Sequence, residues 1–256
     1  MTVAARVARV AGVGVVIVLA LVTILTALRT ELPRAPGVMS DAVGPDPGEP
    51  VAEYLERAAA SLDVGAGDDH RDDDDTTGSP DPSTDPDTDH WALVSAVQAW
   101  SVADADAVAR GLPRVSRLIA QVPVEGVAMP VAEVVLAEPV AGESSREPAF
   151  GRGLDGVVSG LGAGREPGPG DVGADRGAQT SSLTAARIRD GDPAIVGLLV
   201  RGTPEQLRAV SGRPGVRAVE ALPADAVSGR FAVRPLLPQH VRSASPLPDS
   251  APVPAS

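Results

Sequence analysis

The chain has no cysteine, no lysine and no asparagine, and only five of its 256 residues are aromatic. Without cysteine there is no disulfide framework, no thiolate zinc site and no cysteine nucleophile. The few aromatic side chains leave little surface for stacking nucleobases, and the net charge of −12 repels phosphate backbones. These features argue against nucleic-acid binding. All 22 basic residues are arginine, in a composition typical of a GC-rich genome.

Motifs for catalysis and nucleotide binding are also missing. The sequence has no G-x-S-x-G, no P-loop and no H-E-x-x-H pattern. One G-x-G-x-x-G match, at Gly151, Gly153 and Gly156, lacks the preceding strand and following helix that would aim backbone amides at a pyrophosphate. All three histidines fall in segments predicted to be a tether or a tail: His70, His90 and His240. We therefore predict no catalytic residue, no cofactor and no metal ligand, and hence no enzyme.

An uncharged apolar run near the start of the chain predicts a membrane anchor. A helix over residues 10–28 spans about 28 Å, close to the hydrocarbon thickness of a bilayer. A cleaved secretory signal and a buried core helix are the alternatives, but the run ends in LTALR, a poor cleavage site. Two arginines and the free amine precede the run and two arginines follow it, which favours a cytoplasmic N-terminus at residues 1–9. Everything after the anchor is then extracytoplasmic.

Residues 29–90 are expected to tether the folded part to the membrane. A short helix is predicted at residues 49–62, and the block that follows, residues 63–90, holds 11 aspartates and one arginine. Such a block cannot bury enough apolar surface to offset its ordering entropy, so we expect a disordered, extended spacer. The aspartates at its end could suit calcium, but the EF-hand glycine and glutamate are missing. We predict a solvated spacer and no metal site.

Two segments in the rest of the chain are similar to each other. The sequence ALVSAVQAWS, residues 92–101, aligns with AIVGLLVRGT, residues 194–203. Each predicts a strand that ends at a hydroxyl N-cap, Ser101 or Thr203, with an aspartate or glutamine three residues later to complete a capping box. Helices are predicted after these caps, and each is followed by a G-x-P-x-V turn that enters another strand. The chain therefore contains two βαβ units.

Two βαβ units of this size predict an α/β fold of the α+β sandwich type, a ferredoxin-like sheet covered by helices. The first unit and an added edge strand occupy residues 91–140, and the second unit with a strap occupies residues 183–238. The strap sequence RFAVRPLLP either packs on its own domain or contacts a partner. A glycine- and proline-rich insertion at residues 141–182 and the tail at residues 239–256 are expected to be disordered.

One stretch of the second unit, GTPEQLRAVSGRPGVRAVEALP, resembles the end of the subtilisin-propeptide (peptidase inhibitor I9) module. That module carries a similar TPEQL…PGV…VE run on a ferredoxin-like fold, so the resemblance implies protease inhibition or a role as an intramolecular chaperone. The layout, with ALVS early and VRAVEALPADAVSGRFAVRPLLP late, also resembles uncharacterised membrane-anchored actinobacterial proteins. This second resemblance implies a place at the cell envelope.

The function predicted from the sequence is protein binding. We expect a single-pass membrane protein whose extracytoplasmic α/β domain binds another protein, without a small-molecule cofactor and without nucleic acid. An I9-like inhibitor or chaperone-type domain is the alternative. Because few polar groups converge anywhere in the sequence, an edge strand or an open face of the sheet is the expected working surface.

Overall fold

The computed structural model describes residues 42–63, 88–137, 145–162 and 172–255. Seven strands and five helices lie in these residues, so the α+β class is confirmed. The strands are β1 (Ala42–Val43), β2 (His90–Trp100), β3 (Arg114–Ala120), β4 (Ala132–Val135), β5 (Ile195–Gly202), β6 (Val216–Ala221) and β7 (Ala232–Val233). The helices are α1 (Val51–Ser61), α2 (Val102–Ala109), α3 (Glu147–Gly162), α4 (Val172–Arg189) and α5 (Pro204–Ser211).

The main sheet interleaves strands from the two predicted units. Its order is β4-β3-β5-β2-β6, and every neighbouring pair is antiparallel. Strand β5 lies between β2 and β3, and β2 lies between β5 and β6, so neither unit's own two strands are adjacent. At the centre Val94 is opposite Leu198 on one side and Val219 on the other. The predicted edge strand is confirmed as β4, which pairs with β3 alone among the described strands.

The main core lies on one face of this sheet. Alternate residues of the central strands, such as Val94 and Leu198, point into it and are fully buried. Four helices contribute side chains to the same cluster: Ala105 and Val108 from α2, Phe150 and Val157 from α3, Ile188 from α4, and Leu207 and Val210 from α5. The core therefore draws on both βαβ units and on the segment between them.

Both predicted capping boxes are present. Ser101 Oγ accepts from the Asp104 amide at 3.2 Å, and the Asp104 carboxylate accepts from the Ser101 amide at 3.1 Å. Thr203 and Gln206 form the same reciprocal pair at 3.3 and 3.0 Å. These bonds satisfy amides that the first turn of a helix leaves without partners. The starts of α2 and α5 are thus set by local sequence.

The predicted short helix forms as α1, but it belongs to the domain and not to a tether. It packs on β6 in a small cluster of Val51, Tyr54, Ala58, Ala218 and Leu236. Its three apolar residues follow helical spacing, which gives it one buried side. Ahead of it β1 pairs in parallel with β7. The tether prediction is therefore wrong for residues 42–63.

The prediction of a disordered insertion is wrong for the helices α3 and α4. Phe150 is fully buried and Val157 is 3% exposed, because apolar residues spaced for a helix give α3 a buried side in spite of its glycines. Gly153 allows a close approach, since a Cβ there would lie 2.9 Å from Leu136 Cδ2. The G-x-G-x-x-G match thus falls inside a helix and contributes to packing.

The prediction of a disordered tail is wrong for residues 239–255. The Ala244 amide donates to the Glu49 carbonyl at 2.9 Å, and the Ala251 amide donates to the Gly126 carbonyl at 3.0 Å. These residues are held by backbone hydrogen bonds, for which a polar, proline-rich composition is no obstacle. Of the two interpretations of the strap, packing on its own domain is confirmed, because Leu236 is fully buried.

Several predictions fall on residues outside the described ranges. The apolar run at residues 10–28 and most of the acidic block, residues 64–87, are among them. In the part of the chain that the structure does describe, no helix has the length and apolar character needed to cross a membrane.

The role of α3 in the core can be tested by truncating Phe150. We expect Phe150→Ala to lower the free energy of unfolding by about 3–5 kcal/mol, because it removes a fully buried ring and leaves a cavity. Urea denaturation followed by tryptophan fluorescence measures this change. Val135→Ala is the control: that side chain is 73% exposed, and its truncation should change stability by less than about 0.5 kcal/mol. Equal, small effects would show that α3 is not part of the core.

Candidate functional site

Strand β2 departs from regular pairing near its end. It pairs with β5 continuously from His90 to Ser95 and then again only at Trp100. Its pairing with β6 ends at Ala96, which is opposite Val216. Residues 97–99 therefore have no cross-strand partner in either pairing. Such bulges bend a strand and turn side chains in new directions. Here the bulge leaves Val97 49% exposed at the surface.

An open groove of about 580 Å³ lies beside this bulge. Its walls come from the end of β2, from α2 and from the turn between α5 and β6. The lining residues are Val97, Gln98, Ala99, Trp100, Asp104, Ala107, Val108, Arg213, Pro214 and Gly215. Most of these side chains are apolar, so the groove suits an apolar group more than a charged one.

The Gly215 carbonyl holds the groove together. It accepts a hydrogen bond from the Val97 amide at 2.9 Å and another from Trp100 Nε1 at 3.2 Å. Gly215 has a φ of +82°, which favours glycine, and a Cβ there would lie 3.1 Å from Trp100 Nε1. The indole and the turn are therefore fitted closely to each other, and Trp100 is only 5% exposed.

Both charged groups at the rim interact within the domain. Arg213 donates to the carbonyls of Ala107 and Val108 at 3.3 and 2.6 Å, where α2 ends. Asp104 is occupied by its capping box with Ser101, and these hydrogen bonds lower the pKa of its carboxyl. The two groups thus shape the groove. No nucleophile with an adjacent base lines it.

A second group of polar side chains lies buried beneath α1. The carboxylate of Glu220, which is 5% exposed, accepts from the Gly44 amide and pairs with Arg57. The hydroxyls of Tyr54 and Ser95 are nearby and fully buried. Neither reaches good hydrogen-bond geometry, although Tyr54 is close enough to Glu220 for the two groups to affect each other's pKa. We call the side chains of Tyr54, Arg57, Ser95 and Glu220 the polar cluster.

Burial dominates the protonation equilibria of the polar cluster. It raises the pKa of the Glu220 carboxyl, against the opposing effects of the Gly44 amide and the Arg57 guanidinium. The pKa of Tyr54 is raised by burial and then by the negative charge of Glu220. Because α1 covers these groups, a substrate could not reach them while the helix is docked. The polar cluster is therefore a contact between α1 and β6.

The structure relocates two of the histidines. His90 was expected in the tether, but it is the first residue of β2, it is buried, and its Nδ1 lies 2.9 Å from the Leu222 carbonyl oxygen. His240 lies beyond the strap, where burial lowers its pKa and Nδ1 accepts from the Leu237 amide. Within the four described ranges, no three acidic or histidine side chains come together as a metal site.

Comparison with known proteins gives no relative for this chain. No protein-family model matches it, and neither the curated proteins nor the solved structures contain a match.

The fit between Gly215 and Trp100 can be tested with a matched pair of glycine substitutions. Gly215→Ala and Gly191→Ala both place a side chain at a positive φ, which costs about 1–2 kcal/mol. The new Cβ at Gly215 would lie 3.1 Å from Trp100 Nε1, whereas the one at Gly191 would have no neighbour within 4 Å. We expect Gly215→Ala to be the more destabilising and to shift the tryptophan emission, as measured by denaturation and fluorescence. Equal destabilisation with unchanged emission would contradict the close fit.

Proposed function

We propose that this is a single-pass membrane protein whose extracytoplasmic domain binds another protein through the groove at Val97. The anchor is proposed from the uncharged run at residues 10–28, and its orientation from the arginines on either side. Envelope placement also agrees with the resemblance to membrane-anchored actinobacterial proteins. The domain acts as a binding module and carries out no reaction of its own.

We also propose that the domain is ferredoxin-like. The strands of its two βαβ units are ordered β3-β5-β2-β6 and are antiparallel throughout, and each unit contributes a capped helix to the core on one face. This arrangement supports the proposal because it places the second unit's first strand between the two strands of the first unit. The strand β4 is then an addition at one edge.

The observation that carries the binding proposal is the half-exposed Val97 on an apolar groove. Soluble domains bury most large apolar side chains, and a concave apolar surface with a polar rim is a common binding site. The Val97 amide is already bonded to Gly215, but residues 98 and 99 have no cross-strand partner in the pairing with β5 or β6, so an extended peptide could lie along this part of the strand. The groove thus fits an apolar side chain presented by an extended segment of a partner.

The experiment is crosslinking in the cells that produce the protein, followed by recovery from membrane fractions. We expect Val97→Arg to lose the crosslinked partner at unchanged stability, because the side chain is exposed and arginine would place a charge over the apolar floor. Val135→Arg, on the exposed edge strand β4, is the matched control and should retain the partner. Mass spectrometry identifies the adduct.

The other outcomes decide between the alternatives. Loss of the partner from Val135→Arg alone would move the binding surface to the β4 edge. A chain recovered only in the soluble fraction would contradict the anchor. Capture of a subtilisin-like protease, with inhibition of that protease by the purified protein, would favour the I9-like function, which the folded unit from β5 to β6 keeps open.

A further inference from the structure

Residues 42–63, which we name the latch segment, are attached to the domain by hydrogen bonds, by an ion pair and by a few buried apolar side chains. The backbone of Val43 accepts from the Arg234 amide at 2.8 Å, and the Val51 amide donates to the Arg242 carbonyl at 2.9 Å. One ion pair, Arg57 with Glu220, adds a side-chain contact between the latch segment and β6. Hydrogen bonds of this kind exchange readily with water, so they hold a segment less firmly than a large apolar interface does.

The apolar part of this attachment is small and separate from the main core. The cluster of Val51, Tyr54, Ala58, Ala218 and Leu236 shares no member with the main core, and the fully buried Val43 belongs to neither. Leu62, at the end of the latch segment, is its one contribution to that core among the described residues. Undocking α1 would therefore leave the main core almost intact, as local unfolding of a weakly packed element does.

Docking of the latch segment also buries a carboxylate, and with it two hydroxyls that lack a well-placed partner. The Glu220 carboxylate is shielded from water by α1, and the hydroxyls of Tyr54 and Ser95 are buried without a well-placed partner. Undocking would return all three groups to water. The balance between the docked and undocked states therefore depends on Arg57, the one guanidinium that pairs with Glu220 in the described structure.

The path of the chain allows α1 to detach from β6 without disrupting the pairing of the strands. Ser61 Oγ accepts from the Ala221 amide at 2.8 Å, and His90 lies against the carbonyl of the next residue, Leu222. The chain thus leaves the domain and returns to it at the same end of β6. The acidic residues 64–87 connect these two points, so the length needed for α1 to move away is already present.

We propose that the latch segment detaches from β6 while the rest of the domain stays folded, and that this lengthens the link between the domain and residues 10–28. With the segment docked, the link is the 13 residues 29–41, which can span at most about 45 Å. With it undocked, the link extends to residue 87 and can span at most about 200 Å. The gain in reach from a membrane rests on the proposed anchor, whereas the detachment itself does not.

Hydrogen exchange on the full chain tests the detachment. We expect the α1 amides of the wild type to exchange at least tenfold faster than those of β2 and β5, through an opening that does not involve the sheet. Arg57→Ala should raise exchange in α1 at least tenfold further, because it leaves the buried Glu220 carboxylate without its guanidinium, while β2 and β5 stay unchanged.

Two further variants make the result specific. Arg187→Ala removes an exposed arginine–aspartate pair elsewhere and should leave α1 exchange unchanged. Adding Glu220→Gln to Arg57→Ala removes the unpaired buried charge and should restore most of the protection of α1. If Arg57→Ala left α1 exchange unaltered, or raised exchange in β2 and β5 by the same factor, α1 would be an integral part of the domain and the proposal would be overturned.

Tyr54 provides an independent readout because it is the single tyrosine of the chain. In the docked state its pKa is raised, so tyrosinate absorbance should stay low at a pH where a free tyrosine ionises, near 10. Arg57→Ala should bring the ionisation back toward that ordinary value; an unchanged titration would contradict detachment. Failure of the anchor would appear instead as a soluble chain with the same exchange pattern, so the two failures are distinguishable.

Discussion

The structure depends on the pairing of β2 with β5, which joins the two halves of the chain at the centre of the sheet. Because β5 separates β2 from β3, and β2 separates β5 from β6, neither βαβ unit can form a continuous sheet alone. The central residues Val94 and Leu198 are opposite each other and fully buried. Sheet and core therefore form together, and the helices α3 and α4 complete a core that the two units leave unfinished.

Strand β6 connects the proposed binding groove to the latch segment. The turn that enters the strand carries Gly215, whose carbonyl accepts hydrogen bonds from both Val97 and Trp100. Glu220 is the second-to-last residue of the strand and pairs with Arg57. The groove is built from both units, because α2 and the end of β2 belong to the first and Gly215 to the second. Both functional proposals thus depend on the same interleaved pairing.

Local sequence predicted the features that are determined locally. The N-caps at Ser101 and Thr203 were readable because a hydroxyl and a polar partner three residues later satisfy a helix start wherever it lies. The apolar spacing of Phe150, Leu154, Val157 and Leu161 was present too, and it predicts a helix over α3, but the glycine content suggested disorder. Tertiary packing outweighed the low helix propensity of glycine there.

Other features depend on contacts that no local pattern records. The bulge in β2 reflects where its two neighbours stop pairing, and nothing in residues 97–99 marks it. Glu220 follows a valine in an ordinary strand, and its burial depends on α1, which ends at Ser61, 159 residues earlier. The tail binds through backbone hydrogen bonds and through the Asp249 carboxylate, which pairs with Arg176, and composition does not reveal these contacts. These contacts join distant parts of the chain, so they could be seen only in the folded structure.

The most direct test of the interleaved account is complementation between two fragments, residues 1–140 and 141–256. Tryptophan emission reports assembly, because Trp91 and Trp100 lie in the first fragment and the Gly215 carbonyl that binds the Trp100 indole lies in the second. We expect the two halves to fold only together: each fragment alone shows the emission and rapid hydrogen exchange of an unfolded chain, and mixing them restores the emission of the intact protein. A first fragment that folds and protects β2 on its own would contradict it.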